Sequence, residues 1–135
     1  MNGKLEFLID TDLLIQHLIH QDKNEASYLE IAMTLGLCFT TVLNAAELYF
    51  SITNPVKKQF ADDLLKSLKV LGLHARYSLN ISEFFNKVAS TRDALMCSAA
   101  KNNKLMILTL DEKRYRKSEI KIINPKELRG MFDTR

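Results

Sequence analysis

The sequence predicts an α/β domain in which a mostly parallel central β-sheet is flanked by α-helices, and three observations carry that expectation. Short runs rich in β-branched and aromatic residues recur along the chain, at residues 5–9, 37–41 and 104–109. Between them lie stretches whose apolar residues return every three or four positions, and strands alternating with helices imply a parallel sheet. The 135 residues, 47% of them hydrophobic, suffice for one good core and leave no room for two ordinary domains, so a single domain over residues 1–135 is expected.

Leu5-Glu6-Phe7-Leu8-Ile9 reads as a strand that stops on Asp10. In an open parallel sheet, ligands sit outside the carboxyl ends of the strands, where loops converge and helix N-termini point, so Asp10 stands at that mouth. Aspartate is also a favoured helix N-cap, a role for which the pattern prefers Asp12. Leu13, Leu14, Leu18 and Ile19 then mark the buried face of a helix, with Gln16, His17 and His20 among its polar positions. A second helix is expected over residues 25–35, where Ala26, Leu29, Ala32 and Met33 recur, and Gly36 terminates it.

Residues 37–41 form the next strand and run straight into a helix over 42–50. Asn54-Pro55 supplies a cap followed by proline in the first turn, and Val56, Phe60, Leu64 and Leu68 set an apolar stripe at four-residue steps. Residues 70–73 read as a brief strand, and 75–88 as helical with a break near 79–82. Thr91-Arg92-Asp93 opens a helix that is apolar nearly all round through Ala100, which marks it as central. The strand at 104–109 ends at Leu110-Asp111, a basic loop follows, and a last strand over 120–123 precedes Asn124-Pro125 and a small terminal helix.

Two prolines, four glycines and the lack of any biased tract leave no flexible linker to see. No window approaches the roughly 18 to 20 apolar residues that span a bilayer, and no basic region leads into an apolar stretch at the start. A cytoplasmic protein without a membrane partner is expected. Cys38 and Cys97 fall in apolar settings where free thiols pack as small hydrophobes, which suits a reducing compartment. The net charge of +3 permits an anionic partner without demanding one.

Four acids occupy telling places: Asp10 and Asp111 after strands, Asp93 at a helix start, and Glu47 inside an apolar helix between Leu43 and Phe50. Each has an ordinary explanation: Asp10 and Asp93 as helix caps, Asp111 as a turn residue. Glu47 is the hardest to explain so, because a carboxylate on an apolar face must be paired, hydrated or metal-bound to offset desolvation. Carboxylates brought together repel, and protonation or a cation relieves them. An all-oxygen set suits Mg²⁺ or Mn²⁺, and no histidine joins it to suggest zinc. His17 and His20, three apart, lack a nearby third ligand and read as an exposed polar face. Lys113-Arg114-Tyr115-Arg116-Lys117 follows Asp111 closely enough to line the same mouth, with cations for a nucleic-acid backbone and Tyr115 as a stacking face; Arg92 is a weaker candidate for such contact.

These residues resemble the PIN-domain nucleases, and among them the VapC-type toxins of bacterial toxin–antitoxin pairs. Phe7-Leu8-Ile9-Asp10-Thr11-Asp12-Leu13-Leu14-Ile15 is similar to the family's first motif, Thr41 to Leu48 with Glu47 to the second, Arg92-Asp93-Ala94-Leu95 followed by Ser98-Ala99-Ala100 to the third, and Leu108-Thr109-Leu110-Asp111 to the fourth, where Thr109 is a site-supporting hydroxyl. The aromatic that commonly follows the fourth acid is Tyr115 here, without the frequent histidine before it. The resemblance implies metal-dependent cleavage of RNA to 5′-phosphate and 3′-hydroxyl ends, with Asp10 and Asp93 holding Mg²⁺ or Mn²⁺ and Glu47 and Asp111 ligating it or orienting its waters. It also implies a homodimer and a small antitoxin on apolar helix surfaces. Two rivals stand beside it: a haloacid-dehalogenase-type phosphatase, suggested by Asp10-Thr11-Asp12 after a strand but weakened by Leu14, and a PIN-like module that binds RNA or protein without cutting.

Overall fold

The computed structural model describes residues 5–20 and 22–134. Strands β1 (Leu5–Ile9), β2 (Gly36–Thr41), β3 (Lys69–Leu71), β4 (Met106–Leu108) and β5 (Ile122–Ile123) form one sheet in the order β3-β2-β1-β4-β5, with every pairing parallel. The helices are α1 (Thr11–Ile19), α2 (Tyr28–Leu35), α3 (Val42–Phe50), α4 (Pro55–Lys66), α5 (Thr91–Asn103) and α6 (Pro125–Asp133), joined by 3₁₀ segments at Ala75–Leu79, Ile81–Phe84 and Glu112–Ser118. None of the described helices is long and apolar enough to cross a membrane.

The unbroken apolar run of β1 follows from its central position, since a strand covered on both faces has no solvent side to alternate toward. Successive side chains point to opposite faces. Phe7 and Ile9 pack with Leu13, Leu14, Leu29, Ile31, Leu48 and Leu64 in one core, while Leu8 joins Met96, Cys97, Ala99, Phe84 and Tyr115 in the other. The 94–100 stretch of α5 is apolar nearly all round because it lies between the sheet and the 3₁₀ segments, to which Ser98 Oγ is tied by hydrogen bonds with Tyr77 O at 3.1 Å and Asn80 Oδ1 at 2.6 Å. Cys38 is half-buried, Cys97 is buried, and both thiols are free. Burial raises their pKa values to about 12 and about 11.

From β1 the chain steps outward through β2 to β3, then crosses back to place β4 on β1's other side. This reversal makes a switch point at the carboxyl ends of β1 and β4, the crevice where open α/β sheets bind ligands. The end of β1 is fixed from both sides: Thr40 Oγ1 donates to Ile9 O at 2.9 Å, and Asp10 N donates to Leu108 O at 3.1 Å.

Several boundaries depart from the sequence pattern. Asp10, not Asp12, is the N-cap of α1, and Ile19 at its far end is exposed. Helix α2 starts at Tyr28 because Ser27 and Glu30 form a capping box there, and its Met33 faces outward. On α4 only Leu64 of the expected stripe within the helix is buried, with Leu68 just beyond it, while Val56 and Phe60 are exposed because the helix N-terminus overhangs the core. The helical stretch expected over 75–88 is two short 3₁₀ segments ending at Phe84, with the expected break falling at Asn80, which accepts the Ser98 hydroxyl.

Gly36 begins β2 opposite Leu5, and a Cβ added there would stand 2.3 Å from Leu5 O. Since that neighbour is backbone, Gly36→Ala must push β1 and β2 apart at their first pair. It is expected to cost about 1–3 kcal/mol, the range for overpacking, read as a lower urea midpoint with no change in far-ultraviolet circular dichroism.

Candidate active site

The four acids named from the sequence arrive at the carboxyl end of the sheet from four elements: Asp10 caps α1 at the end of β1, Glu47 lies one turn into α3, Asp93 is in the first turn of α5, and Asp111 follows β4. Two arginines link them. Arg92 donates from Nε to Glu47 Oε2 at 3.1 Å and from Nη2 to Glu47 Oε1 at 2.6 Å, grips Asp10 through Nη2–Oδ1 at 2.6 Å and Nη1–Oδ2 at 3.3 Å, and reaches Asp93 Oδ1 from Nη1 at 3.0 Å. Arg114 stands beyond it, 3.9 Å from Asp10, 3.6 Å from Asp93 and 3.7 Å from Asp111. Asp10 and Asp93 are buried, Glu47 is half-buried and Asp111 is exposed at the rim. Phe50, which shares the face of α3 that carries Glu47, is 91% exposed, so that face is not closed off from water.

Arg92 was a weak candidate for nucleic-acid contact; instead its guanidinium is at the centre of the acids. Its planar fork matches two carboxylates bidentately, which a lysine could not do. Tyr115 differs more sharply from expectation. Its ring is buried in the core and has no face free for a base, because 3₁₀ geometry places residues three apart on one side and turns Tyr115 and Ser118 inward together. Its hydroxyl donates to Asp10 Oδ2 at 2.5 Å and accepts from Arg92 Nη1 at 2.7 Å. Thr109 Oγ1 donates to Asp12 Oδ2 at 2.8 Å and accepts from Asp111 N at 3.1 Å, so it touches the site's frame rather than Asp10 or Asp93.

Two side chains in this network, Thr11 and Asn44, were given no role by the sequence, and a third, Asp12, has a different role from the helix cap expected of it. Thr11 Oγ1 donates to Glu47 Oε1 at 2.5 Å, and Asn44 Nδ2 donates to Thr11 Oγ1 at 3.0 Å and Asp10 Oδ1 at 3.3 Å. A signal for Asn44 was present: a buried-face amide three residues after Thr41 is the pattern of a capping box, which these two residues form. Asp12 is the third, accepting from Leu110 N at 2.9 Å as well as from Thr109, so it braces α1 against the chain leaving β4. Its Oδ1 is buried and has no hydrogen-bond partner among the described residues.

Burial opposes ionisation of Asp10, but the hydrogen bonds and charge of Arg92, with the Tyr115 hydroxyl and the Thr11 N–H, outweigh it and hold the carboxyl below its ordinary value. Glu47 is likewise lowered, burial being outweighed by Arg92 and the Thr11 hydroxyl. Asp12 goes the other way, raised by burial and by the Asp10 charge against its two donors. Burial and Asp10 push the Tyr115 phenol well up, so it remains a donor. Arg92 stays charged because the acids more than offset its burial.

The donors available to a metal are all carboxylate oxygens, the set that hard divalent ions take. As the side chains stand, no three His, Cys, Asp or Glu groups among the described residues share one possible ion position. Guanidinium nitrogens lie between the acids instead.

Beside the acids runs a groove of about 410 Å³ with Lys87 and Val88 on one wall and Lys113, Arg114, Arg116 and Lys117 on the other. Lys87 had no distinguishing signal in the sequence and joins the basic run only through the fold.

The PIN domain family matches residues 7–120 of the sequence. The chain belongs to the PIN-domain family. Membership of this nuclease family suggests a hydrolase acting on nucleic acid and replaces the phosphatase reading, whose second aspartate, Asp12, is here the brace between α1 and β4. No protein of curated function matches the sequence. Among solved structures, this PIN chain is similar to FitAcB from Neisseria gonorrhoeae (16% identity, 89% of this chain and 98% of that one, TM-score 0.70). It is also similar to a toxin–antitoxin complex from Klebsiella pneumoniae (13% identity, 90% and 97%, TM-score 0.71). A third similar structure is VapBC2 from Rickettsia felis bound to a promoter DNA fragment (17% identity, 89% and 98%, TM-score 0.69). At these identities the likeness is one of fold.

Two outcomes follow from the pairing. Tyr115→Phe removes a hydrogen bond to a buried ionised carboxylate, expected to lower unfolding free energy by about 1.5–3 kcal/mol, measured by urea denaturation in EDTA. Asp10 and Glu47 are lowered from 3.8 and 4.5, so the unfolded chain takes up protons before the folded one does as pH falls. Their stabilisation is complete above those ordinary values and is lost as pH drops through the folded values; Asp12, raised, contributes with the opposite sign. Urea midpoints followed into acid should fall steeply below about pH 4, and a flat or rising midpoint there contradicts the pairing.

Proposed function

We propose that this PIN domain is a metal-dependent endoribonuclease of the toxin kind, hydrolysing RNA phosphodiester bonds to leave 5′-phosphate and 3′-hydroxyl ends. The observation that supports the reading is the gathering of Asp10, Glu47 and Asp93 around the one guanidinium of Arg92 at the carboxyl end of the sheet, next to a groove of cations. In this reading Asp10 and Asp93 hold Mg²⁺ or Mn²⁺, and Glu47 and Asp111 either ligate it or position its waters. Bound there, the ion supplies an acidified water and neutralises charge on the phosphate oxygens.

The chain's own groups supply the rest. Thr11 and Asn44 set the orientations of Glu47 and Asp10, the Tyr115 hydroxyl holds Asp10 Oδ2, and Thr109 with Asp12 aligns the segment that carries Asp111. Lys87, Lys113, Arg114, Arg116 and Lys117 track the RNA backbone toward the acids, while Arg92, expected from the sequence as a weaker contact of this kind, is turned inward on the acids. The Klebsiella pneumoniae structure of similar fold is a toxin–antitoxin complex, and here the groove of about 1000 Å³ between α1, α2 and α4, with Leu18, Met33 and Phe60 in its lining, is the face we assign to a small antitoxin. A homodimer acting in the cytoplasm completes the reading.

Purified protein is incubated with mixed RNA, and separately with a phosphomonoester, in Mg²⁺ or Mn²⁺ and in EDTA. The expected result is RNA cutting that needs the metal and is lost in both Asp10→Asn and Asp93→Asn. Turnover of the phosphomonoester alone would restore the phosphatase, and RNA binding without cutting would make the chain a non-catalytic module. In the Asp10→Asn variant, RNA affinity should fall steeply with salt, and Lys117→Ala should flatten the logarithmic slope by about one.

A further inference from the structure

We propose that Arg92 is an internal counter-cation, a latch that fills the place of the divalent ion in the resting protein and must swing away before the acids can take a metal. The inference rests on the metal-site reading above and adds a step to it.

Arg92 uses all its donor groups inward. Nε and Nη2 grip Glu47, Nη1 and Nη2 grip Asp10, Nη1 reaches Asp93 and the Tyr115 hydroxyl, and Nη2 also approaches Thr11 Oγ1 at 3.3 Å. A guanidinium holds its partners at these hydrogen-bond distances of 2.6–3.3 Å around a flat fork several ångströms wide. Mg²⁺ instead needs oxygens at about 2.0–2.1 Å around one point. The two arrangements of the same carboxylates exclude each other, which accounts for the acids lying on one side chain yet sharing no ion position.

The backbone gives this arginine no reason of its own to be there. Arg92 lies in the first turn of α5, at the positive end of the helix dipole, where a cation is disfavoured. Attraction to the three acids is therefore what keeps it inward. Its side chain remains 19% exposed, so rotation about its own bonds can carry it out while α5 stays in place. Release would also free the Tyr115 hydroxyl from its Arg92 donor while leaving its bond to Asp10.

The resting protein should therefore bind metal more weakly than its acids would allow, by the fraction of molecules with the latch open. Mn²⁺ affinity is measured by electron paramagnetic resonance and calorimetry on the wild type and Arg92→Met, and in parallel the Arg92 Nε–H resonance of the wild type is followed during Mg²⁺ titration. Arg92→Met should bind Mn²⁺ about tenfold tighter or more, should melt lower than wild type in EDTA, and should recover with Mg²⁺. The Nε–H signal, sheltered against Glu47, should lose its protection as Mg²⁺ saturates. Should Arg92→Met fail to fold, Glu47→Gln with and without Arg92→Met gives the same comparison at lower charge. Equal or weaker Mn²⁺ binding in the variant, or an Nε–H signal unmoved at saturating Mg²⁺, makes Arg92 a permanent pillar and overturns the latch while leaving the nuclease reading intact. If wild type and variants all fail to bind Mn²⁺, the metal-site reading falls together with the latch.

Discussion

Charge balance at the mouth of the sheet is the constraint on which the other features of this protein depend. Asp10, Glu47 and Asp93 come from three different elements and could not remain ionised side by side without a cation among them. The Arg92 guanidinium is that cation, and its fork is matched to the two carboxylates it grips in pairs. Around it, Tyr115, Thr11 and Asn44 use their polar atoms to fix carboxylate orientation. Truncating one member leaves others buried and unpaired, so the network behaves as a unit.

The sheet topology makes this possible. With β1 between β2 and β4, and the chain crossing over between them, the ends of β1 and β4 and the N-terminal parts of α1, α3 and α5 open onto one crevice. Both faces of β1 are packed, so Ile9 and Leu8 are pinned in opposite cores while Asp10, one residue further, emerges at the crevice. Small shifts there are resisted by the Thr40 and Leu108 bonds on either side. A rigid floor under exposed cations suits the nuclease function we propose: Lys113, Arg116 and Lys117 have long, exposed side chains that can follow a substrate, while the acids are held.

Where reading along the chain succeeded, the signal was local. The apolar run ending in Asp10, the Asn54-Pro55 start of α4, the apolar α5 and the strand before Thr109 each carry their pattern in adjacent residues, so strand-helix alternation, the parallel sheet and the positions of the four acids were all legible. Where it failed, the deciding contact was distant. Tyr115 looked like a surface aromatic because its neighbours in sequence are all basic, yet the 3₁₀ turn points it into the core. Val56, Phe60 and Ile19 followed a helical period that the core does not extend far enough to cover.

By itself the sequence determined an α/β domain and the acids at its strand and helix ends, because secondary structure and capping depend on neighbours within a few residues. Only the tertiary structure decided that Arg92 stands among those acids, that Asp12 braces α1 against β4, and that Lys87 joins the basic run. Those relations link residues as far as 98 positions apart, and hydrogen bonds of two to three ångströms depend on where the packed layers finally bring the side chains.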